Sequence, residues 1–532
     1  MSNTLWNLII ITLIGYYAQI IYHEWSRPIV LTKNGWIRGL RSEEGYDMYL
    51  GIPYATVRED NPFSTSSPYP RWNGIFDASD NTKICPHVEE ALKIPVGTLQ
   101  CLNLHIYAPR NGKSLPVIVF IYGGQYRFGH AGRIGSYVVY VPEFFVQNNV
   151  IVVTFNYRSG VYGFLCLDTP EIPGNQGLKD QTLALQWIKK NIENFGGDSN
   201  RITILGHSSG AMSTEFHVYV NPDLFNQFIL QSGSAFVPGG IGEADRNKPI
   251  KIAKSLGYEA TTLNDAIKFL AKVDVQAVAI ATKAVIFRPC IEKRFAGVKG
   301  FLNEHPLNMK LDLSNKTVLI GNTKREYAKE ICLPYNAIDS KDVVKINLNF
   351  GFEPNDDIVE RIKKYYDIHE KEGQVEYENV LKFFSDLYFN YPTDRTINKY
   401  LGSGVKKIYQ YIFSYSGNRN LMKVMRNISV EATTHGDDLG YLFKMTSLKK
   451  TSDSDQLLVD RMVKMWTDFA KYGDPTPKTT NLLPVKWVPT SKQRKYLIID
   501  TIMRMDDTLL HDRIKFWHNL YKTYEKFVKW ES

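Results

Sequence analysis

A serine stands in the turn Gly206-His207-Ser208-Ser209-Gly210, directly after the apolar run Ile202-Thr203-Ile204-Leu205. A serine hydroxyl becomes a nucleophile when an imidazole takes its proton and a carboxylate fixes that imidazole's tautomer. The turn suits this role. Glycines on both sides let a strand and a helix pass close together, and the hydroxyl then stands above a sheet, at a helix N-terminus that favours negative charge. The five-residue pattern also recurs by chance as a simple turn, so its weight rests on the strand–turn–helix context.

Eleven histidines are available as the base. His207 adjoins the serine, but neighbouring side chains at a sharp turn diverge, which makes it a poor candidate. His435, in Thr433-Thr434-His435-Gly436-Asp437-Asp438, lies in a polar loop after the apolar run 408–413. There a loop residue can reach the carboxyl edge of a sheet, although a lone loop histidine is as a rule a surface residue. Glu326 follows the run 318–320 in Gly321-Asn322-Thr323-Lys324-Arg325-Glu326, which on its own reads as a charged surface turn. The order serine, acid, histidine is nevertheless the one an α/β-hydrolase uses. A tetrahedral intermediate also needs backbone N–H donors for its oxyanion. The N–H of Ser209 is one, and Ile121-Tyr122-Gly123-Gly124-Gln125-Tyr126 offers others unless its glycine pair is only a turn.

The elements that must carry these residues are readable. Short runs that are almost wholly apolar, 117–121, 150–155 and 202–205, have the pattern of strands buried on both faces of a mainly parallel sheet. Further strands are expected at 228–230, 318–320, 408–413 and 496–499. Between them, Ala184, Leu185, Ile188, Ile192 and Phe195 repeat on a helical period, so 178–195 reads as a helix stopped by Gly196-Gly197. Alternating strands and helices mean an α/β fold with helices covering the sheet. Residues 241–312 and 340–400 read as mainly helical insertions roofing the site. No internal repeat or low-complexity linker appears, so residues 22–532 are expected to form a single domain.

The 64 basic and 55 acidic residues give +9, spread along the chain without a basic run interleaved with aromatics, so no nucleic-acid partner is expected. Residues 5–21 are apolar and uncharged: too short for a comfortable membrane span, but suited to a signal peptide, with an uncleaved anchor as the alternative. Secretion is therefore expected, and membrane contact only through that anchor. The sequons Asn315-Lys316-Thr317 and Asn427-Ile428-Ser429 agree with that route. The five cysteines show no CxxC pair or Cys/His cluster, so no metal site is expected, and Cys166, Cys290 and Cys332 read as buried thiols.

Together the motifs resemble the type-B carboxylesterase and cholinesterase family, in particular its insect-type carboxylesterases. The resemblance runs through Tyr49-Leu50-Gly51-Ile52-Pro53-Tyr54-Ala55, Asn156-Tyr157-Arg158, Gly174-Asn175-Gln176-Gly177-Leu178-Lys179-Asp180-Gln181 and Asn194-Phe195-Gly196-Gly197-Asp198. It continues in Gln231-Ser232-Gly233-Ser234, His435-Gly436-Asp437-Asp438 and Trp466-Thr467-Asp468-Phe469-Ala470-Lys471-Tyr472-Gly473-Asp474-Pro475. It implies an α/β-hydrolase fold, a large mainly parallel sheet with helices on both faces. It also implies a cofactor-free serine esterase with Ser208, Glu326 and His435 as triad. Gly124, Gln125 and Ser209 fall on the oxyanion positions, and Cys85 and Cys101 on the first disulfide; the second has no counterpart.

The departures are specific. Gln125 replaces the third glycine of the oxyanion loop, Ser209 the usual alanine, and Tyr327 the glycine after the acid. Leu99-Gln100 replaces an acidic pair, so a buried ion pair is expected to be missing there. No tryptophan lies between Cys85 and Cys101, which argues against choline esters, and the turn before Ser208 lacks the glutamine usual in juvenile-hormone esterases. The reading is a hydrolase of small to medium hydrophobic esters; the rivals are a weakly active or inactive binding or adhesion protein of the same fold, and an ester scavenger.

Overall fold

The computed structural model describes residue 12 and residues 27–327, 343–348, 351–353, 355–371, 374–375, 377–428, 432–448 and 451–528. The apolar segment 5–21 falls outside them except for residue 12. No helix among the described residues is long and apolar enough to cross a membrane.

Eleven strands form the main sheet: β1 (Leu40–Arg41), β2 (Tyr46–Pro53), β3 (Asn103–Pro109), β4 (Leu115–Ile121), β5 (Ile151–Phe155), β6 (Gly197–His207), β7 (Gln227–Gln231), β8 (Thr317–Thr323), β9 (Lys407–Phe413), β10 (Tyr496–Ile499) and β11 (Arg504–Asp506). Their spatial order is β11-β10-β9-β8-β7-β6-β4-β5-β3-β2-β1. Every pairing from β5 through β4, β6, β7, β8 and β9 to β10 is parallel, and the flanks are antiparallel. The runs that read as doubly buried strands are just that, since every residue of β5 and β8 is buried.

Helix α1 (Gln176–Asn191) continues as a 3-10 turn to Phe195, where Gly196 in the left-handed region ends it. Helix α2 (Ser209–Val220) starts at the nucleophile turn and packs on β6 and β7. Helix α3 (Asp453–Tyr472), capped by the Ser452 hydroxyl, packs on β4 and β6. Arg158 and Asp180, both fully buried, tie the β5 end to α1 through Nε and Nη2, and Arg158 Nη1 donates to the carbonyls of Pro62 and Ser64. Gln100 holds its own segment by donating to the Val57 carbonyl and the Glu59 carboxylate and accepting the Val57 N–H.

The insertions differ from expectation in one half. Residues 355–402 are largely helical and join the C-terminal helix His511–Thr523 in a second, aromatic-rich core. In 241–312 the helices are confined to Lys248–Ser255, Leu263–Leu270 and Val275–Thr282. Beyond them the chain is irregular, and the buried Glu292 carboxylate takes the N–H groups of Phe301 and Leu302, together with the Asn175 amide, in place of helical partners for that backbone.

Cys85 and Cys101 form a disulfide with 4.9 Å between Cα atoms. The expectation of free buried thiols is corrected for two others: Cys166 and Cys290 are joined across 124 residues. Apolar neighbours signal burial but not a partner that tertiary folding brings from so far away. Closing that loop stabilises by roughly 5 kcal/mol in the chain-entropy view. Cys332 lies outside the described residues.

Candidate active site

Ser208 sits where β6 ends and α2 begins, with φ 56° and ψ −126°, a conformation costing about 1–3 kcal/mol that persists only where its surroundings impose it. They do so here. The Ser208 N–H donates to the Gln231 carbonyl at 2.8 Å, and the N–H groups of Ala211 and Met212 return to the Ser208 carbonyl. A Cβ on Gly206 would lie 2.3 Å from the Gly210 carbonyl oxygen, and one on Gly210 2.0 Å from that of Ile121, so only glycine fits on either side.

Glu326 is fully buried just beyond β8. Its Oε2 is 2.7 Å from His435 Nδ1. An ionised carboxylate only accepts, so Nδ1 carries the proton and Nε2 is left as the basic nitrogen. Oε1 accepts from the Ser232 hydroxyl and the Thr323 N–H, both at 2.7 Å. The His435 N–H also donates to the Glu326 carbonyl, at 3.1 Å. Among the described residues no hydrogen bond joins the Ser208 hydroxyl to the His435 ring, as is common before substrate tightens such a site.

The His435 loop is organised from below by Asp437, which accepts N–H groups from Thr434, Met422 and Lys423 and the Asn420 amide. Burial pushes the Asp437 carboxyl up to about 6, with the Asn420 bond acting the other way. Asp438, also raised to about 6 by burial, accepts from Gln231 and Tyr411 beneath the site. Two rings flank His435, Phe389 at 4.9 Å and His207 at 4.8 Å between centroids. His207 does not simply diverge from the serine. Its ring is buried beside that of His435, Nε2 has no hydrogen-bond partner, and burial, then the His435 charge, holds its pKa well below the usual histidine value.

The opposite wall is the loop after β4. Gly124 has φ +128° and a Cβ there would meet the Phe128 carbonyl oxygen at 2.1 Å, so glycine is required. Gln125 and Tyr126 follow with φ 56° and 59°. The Gln125 side chain is exposed. A Cβ on Gly123 would sit 2.7 Å from Ser208 Cβ, which places this loop against Ser208. The extra hydroxyl of Ser209 is buried and accepts the Tyr126 N–H at 3.4 Å, joining the start of α2 to the loop.

The structure thus gathers Ser208, Ser209, Gly124, Gln125, Glu326 and His435 at one edge of the sheet. Sequence reasoning gave no role to Ser232 or to Asp437 beyond the motifs they stand in. Tyr327 packs its ring against Phe384, Tyr388 and Phe389, so it couples the acid to the helical insertion. Among the described residues no group of three or more His, Cys, Asp or Glu is placed to hold a metal ion.

Residues 26–517 match the model of the carboxylesterase family. The chain is 30% identical to Esterase FE4 of Myzus persicae over 84% of its own length and 83% of that protein. It is 29% identical to Juvenile hormone esterase of Heliothis virescens over 90% and 91%, and 29% identical to Bile salt-activated lipase of Rattus norvegicus over 92% and 84%.

Proposed function

The chain belongs to the carboxylesterase family as a carboxylic ester hydrolase, and from that premise we propose that it works through Ser208, His435 and Glu326 by way of an acyl-enzyme. The observation that carries this reading is the two-point attachment of His435 to a buried, fully bonded Glu326, which leaves Nε2 free to act as base. His435 Nε2 takes the Ser208 proton as Oγ attacks the ester carbonyl, and the N–H groups of Gly124, Gln125 and Ser209 receive the oxyanion. His435 then gives the proton to the departing alcohol. A water, deprotonated by the same nitrogen, attacks the acyl-serine and releases the acid.

The substrates are small to medium hydrophobic esters, of xenobiotic, odorant or lipid-derived kind. Residues 22–532 act as one hydrolase domain, delivered to the secretory route by residues 5–21. Exposure of Asn315 and Asn427 supports their glycosylation there.

A fluorophosphonate tests the reading directly. It is expected to modify Ser208, and Ser208→Ala is expected to abolish both labelling and hydrolysis of p-nitrophenyl acetate. The rate should depend on pH, because only the base form of His435 can take the Ser208 proton. Folded protein without labelling, or a rate flat from about pH 5 to 9, overturns the assignment.

A further inference from the structure

Beside the oxyanion loop lies a cavity of about 240 Å³ whose charge is unbalanced. Its two carboxylates are already engaged. Glu89 Oε2 is 3.1 Å from His87 Nε2 and 3.7 Å from His130 Nε2, and Glu90 is bound by Arg426. Its cations are not: among the described residues Lys93, Arg127 and Lys283 take part in no ion pair. Arg127 is the most exceptional of them. Its Nε is buried without a hydrogen-bond partner, and its guanidinium lies 5.9 Å from the centre of the Phe128 ring. Burial lowers its pKa from the usual arginine value, with the Glu90 charge acting the other way. A partly desolvated guanidinium with no carboxylate in ion-pair contact is costly to keep, and an incoming anion lowers that cost.

The cavity is coupled to the reaction centre through the backbone. The N–H groups of Arg127 and Phe128 both donate to the Gly124 carbonyl, at 2.9 and 3.2 Å, and Gly160 N–H donates to the Tyr126 carbonyl at 2.6 Å. Neither Ser208 nor His435 lines it, so it is not the place of a scissile carbonyl. Its sign is wrong for a quaternary ammonium, and the planar fork of Arg127 matches a carboxylate.

We propose that this cavity is an anion subsite, and that among the esters of the reading above those with a hydrophobic acyl chain ending in a carboxylate are preferred. The proposal deepens the esterase reading above and rests on it.

The test compares p-nitrophenyl hemiesters of adipic and suberic acid with their methyl-capped, uncharged counterparts. The hemiesters should be favoured by about tenfold or more in kcat/KM at low salt, and the preference should shrink as ionic strength rises. Arg127→Gln should bring the ratio close to one, chiefly through KM. Lys283→Ala, at an exposed position that tolerates change, should lower it about two- to threefold. Hydrolysis of the capped esters without preference for the hemiesters overturns this proposal alone. So does a preference that survives in both variants. Hydrolysis of neither class, with no labelling of Ser208, overturns it together with the esterase reading.

Discussion

Glu326 and His435 are joined through main chain and side chain at once, and every carboxylate oxygen has a partner. The facing loop at 124–126 is held differently. It carries three consecutive positive φ angles and an exposed Gln125, and it is tied by main-chain bonds, the Gly124 carbonyl accepting the Arg127 and Phe128 N–H groups and the Tyr126 carbonyl that of Gly160, with one long side-chain contact from the Tyr126 N–H to the Ser209 hydroxyl. The Glu326–His435 wall is therefore fixed through buried side chains as well as main chain, whereas the facing wall keeps its shape by main-chain bonds, backbone conformation and the close approach of Gly123 and Gly124 to their neighbours. The contrast separates two properties. Under the proposed mechanism the first wall is expected to set whether Ser208 reacts at all, and the second which acyl groups it accepts and how well the intermediate is held.

The largest effect expected from this division is that of Glu326→Gln. The amide keeps one acceptor for His435 Nδ1–H but turns its NH2 towards the Ser232 hydroxyl and the Thr323 N–H, which are themselves donors. The side chain must either clash or rotate and present a donor to the histidine, forcing the wrong tautomer. Loss of roughly 10²–10⁴ in kcat is expected, with a parallel loss in the rate of fluorophosphonate labelling. Near-normal turnover in this variant breaks the comparison at its stronger side.

The next effect is electrostatic. His207 lies 4.8 Å from the His435 ring and is held neutral by burial and by the His435 charge. It adds no charge to the base at working pH. In His207→Glu a carboxylate beside His435 favours the imidazolium, so the His435 pKa rises and the neutral base appears only at higher pH. The acid limb of kcat/KM should move up by about one unit, roughly tenfold in rate near pH 6. His207→Gln, which is uncharged, should leave the limb in place. If acyl-chain preference changes along with the limb, the two walls are not separable.

Much of this was legible in the sequence, for physical reasons that also mark where it stopped. Strands buried on both faces announce themselves by composition alone, and the Ser208 turn by its glycines and the strand before it. Glu326 stands out only by chain order and by the family resemblance, since nothing local distinguishes it from a surface turn. Ser232 was invisible as a donor because its position depends on register: Gln231 pairs with Gly321 across β7 and β8, which sets the next hydroxyl over the acid. Pairing of Cys166 with Cys290 was equally hidden, because no spacing rule reaches across 124 residues. Tyr327 was seen as a departure but not explained until the insertion's Phe384, Tyr388 and Phe389 were found packed on it.

The smallest effect expected is also the one that bears most on the weaker wall. A glutamine at the third loop position could act by displacing an N–H donor or by limiting the acyl group with its side chain. The backbone argues for the second. Gln125 has φ 56°, a conformation that costs a side-chain-bearing residue about 1–2 kcal/mol and costs glycine little, so the loop keeps a path suited to glycine in spite of the substitution. The exposed side chain then becomes the main difference between this loop and a three-glycine one. In Gln125→Gly, turnover of an acetyl ester should change by no more than about threefold, while the kcat/KM ratio of octanoyl to acetyl ester rises by about three- to tenfold. A displaced donor gives a different signature. Restoring one raises kcat by about 10²–10³ for short and long acyl chains alike. That uniform rise would mean that the facing wall is not merely less tightly held than the Glu326–His435 wall but broken in the native chain, and acyl selectivity would have to be sought elsewhere.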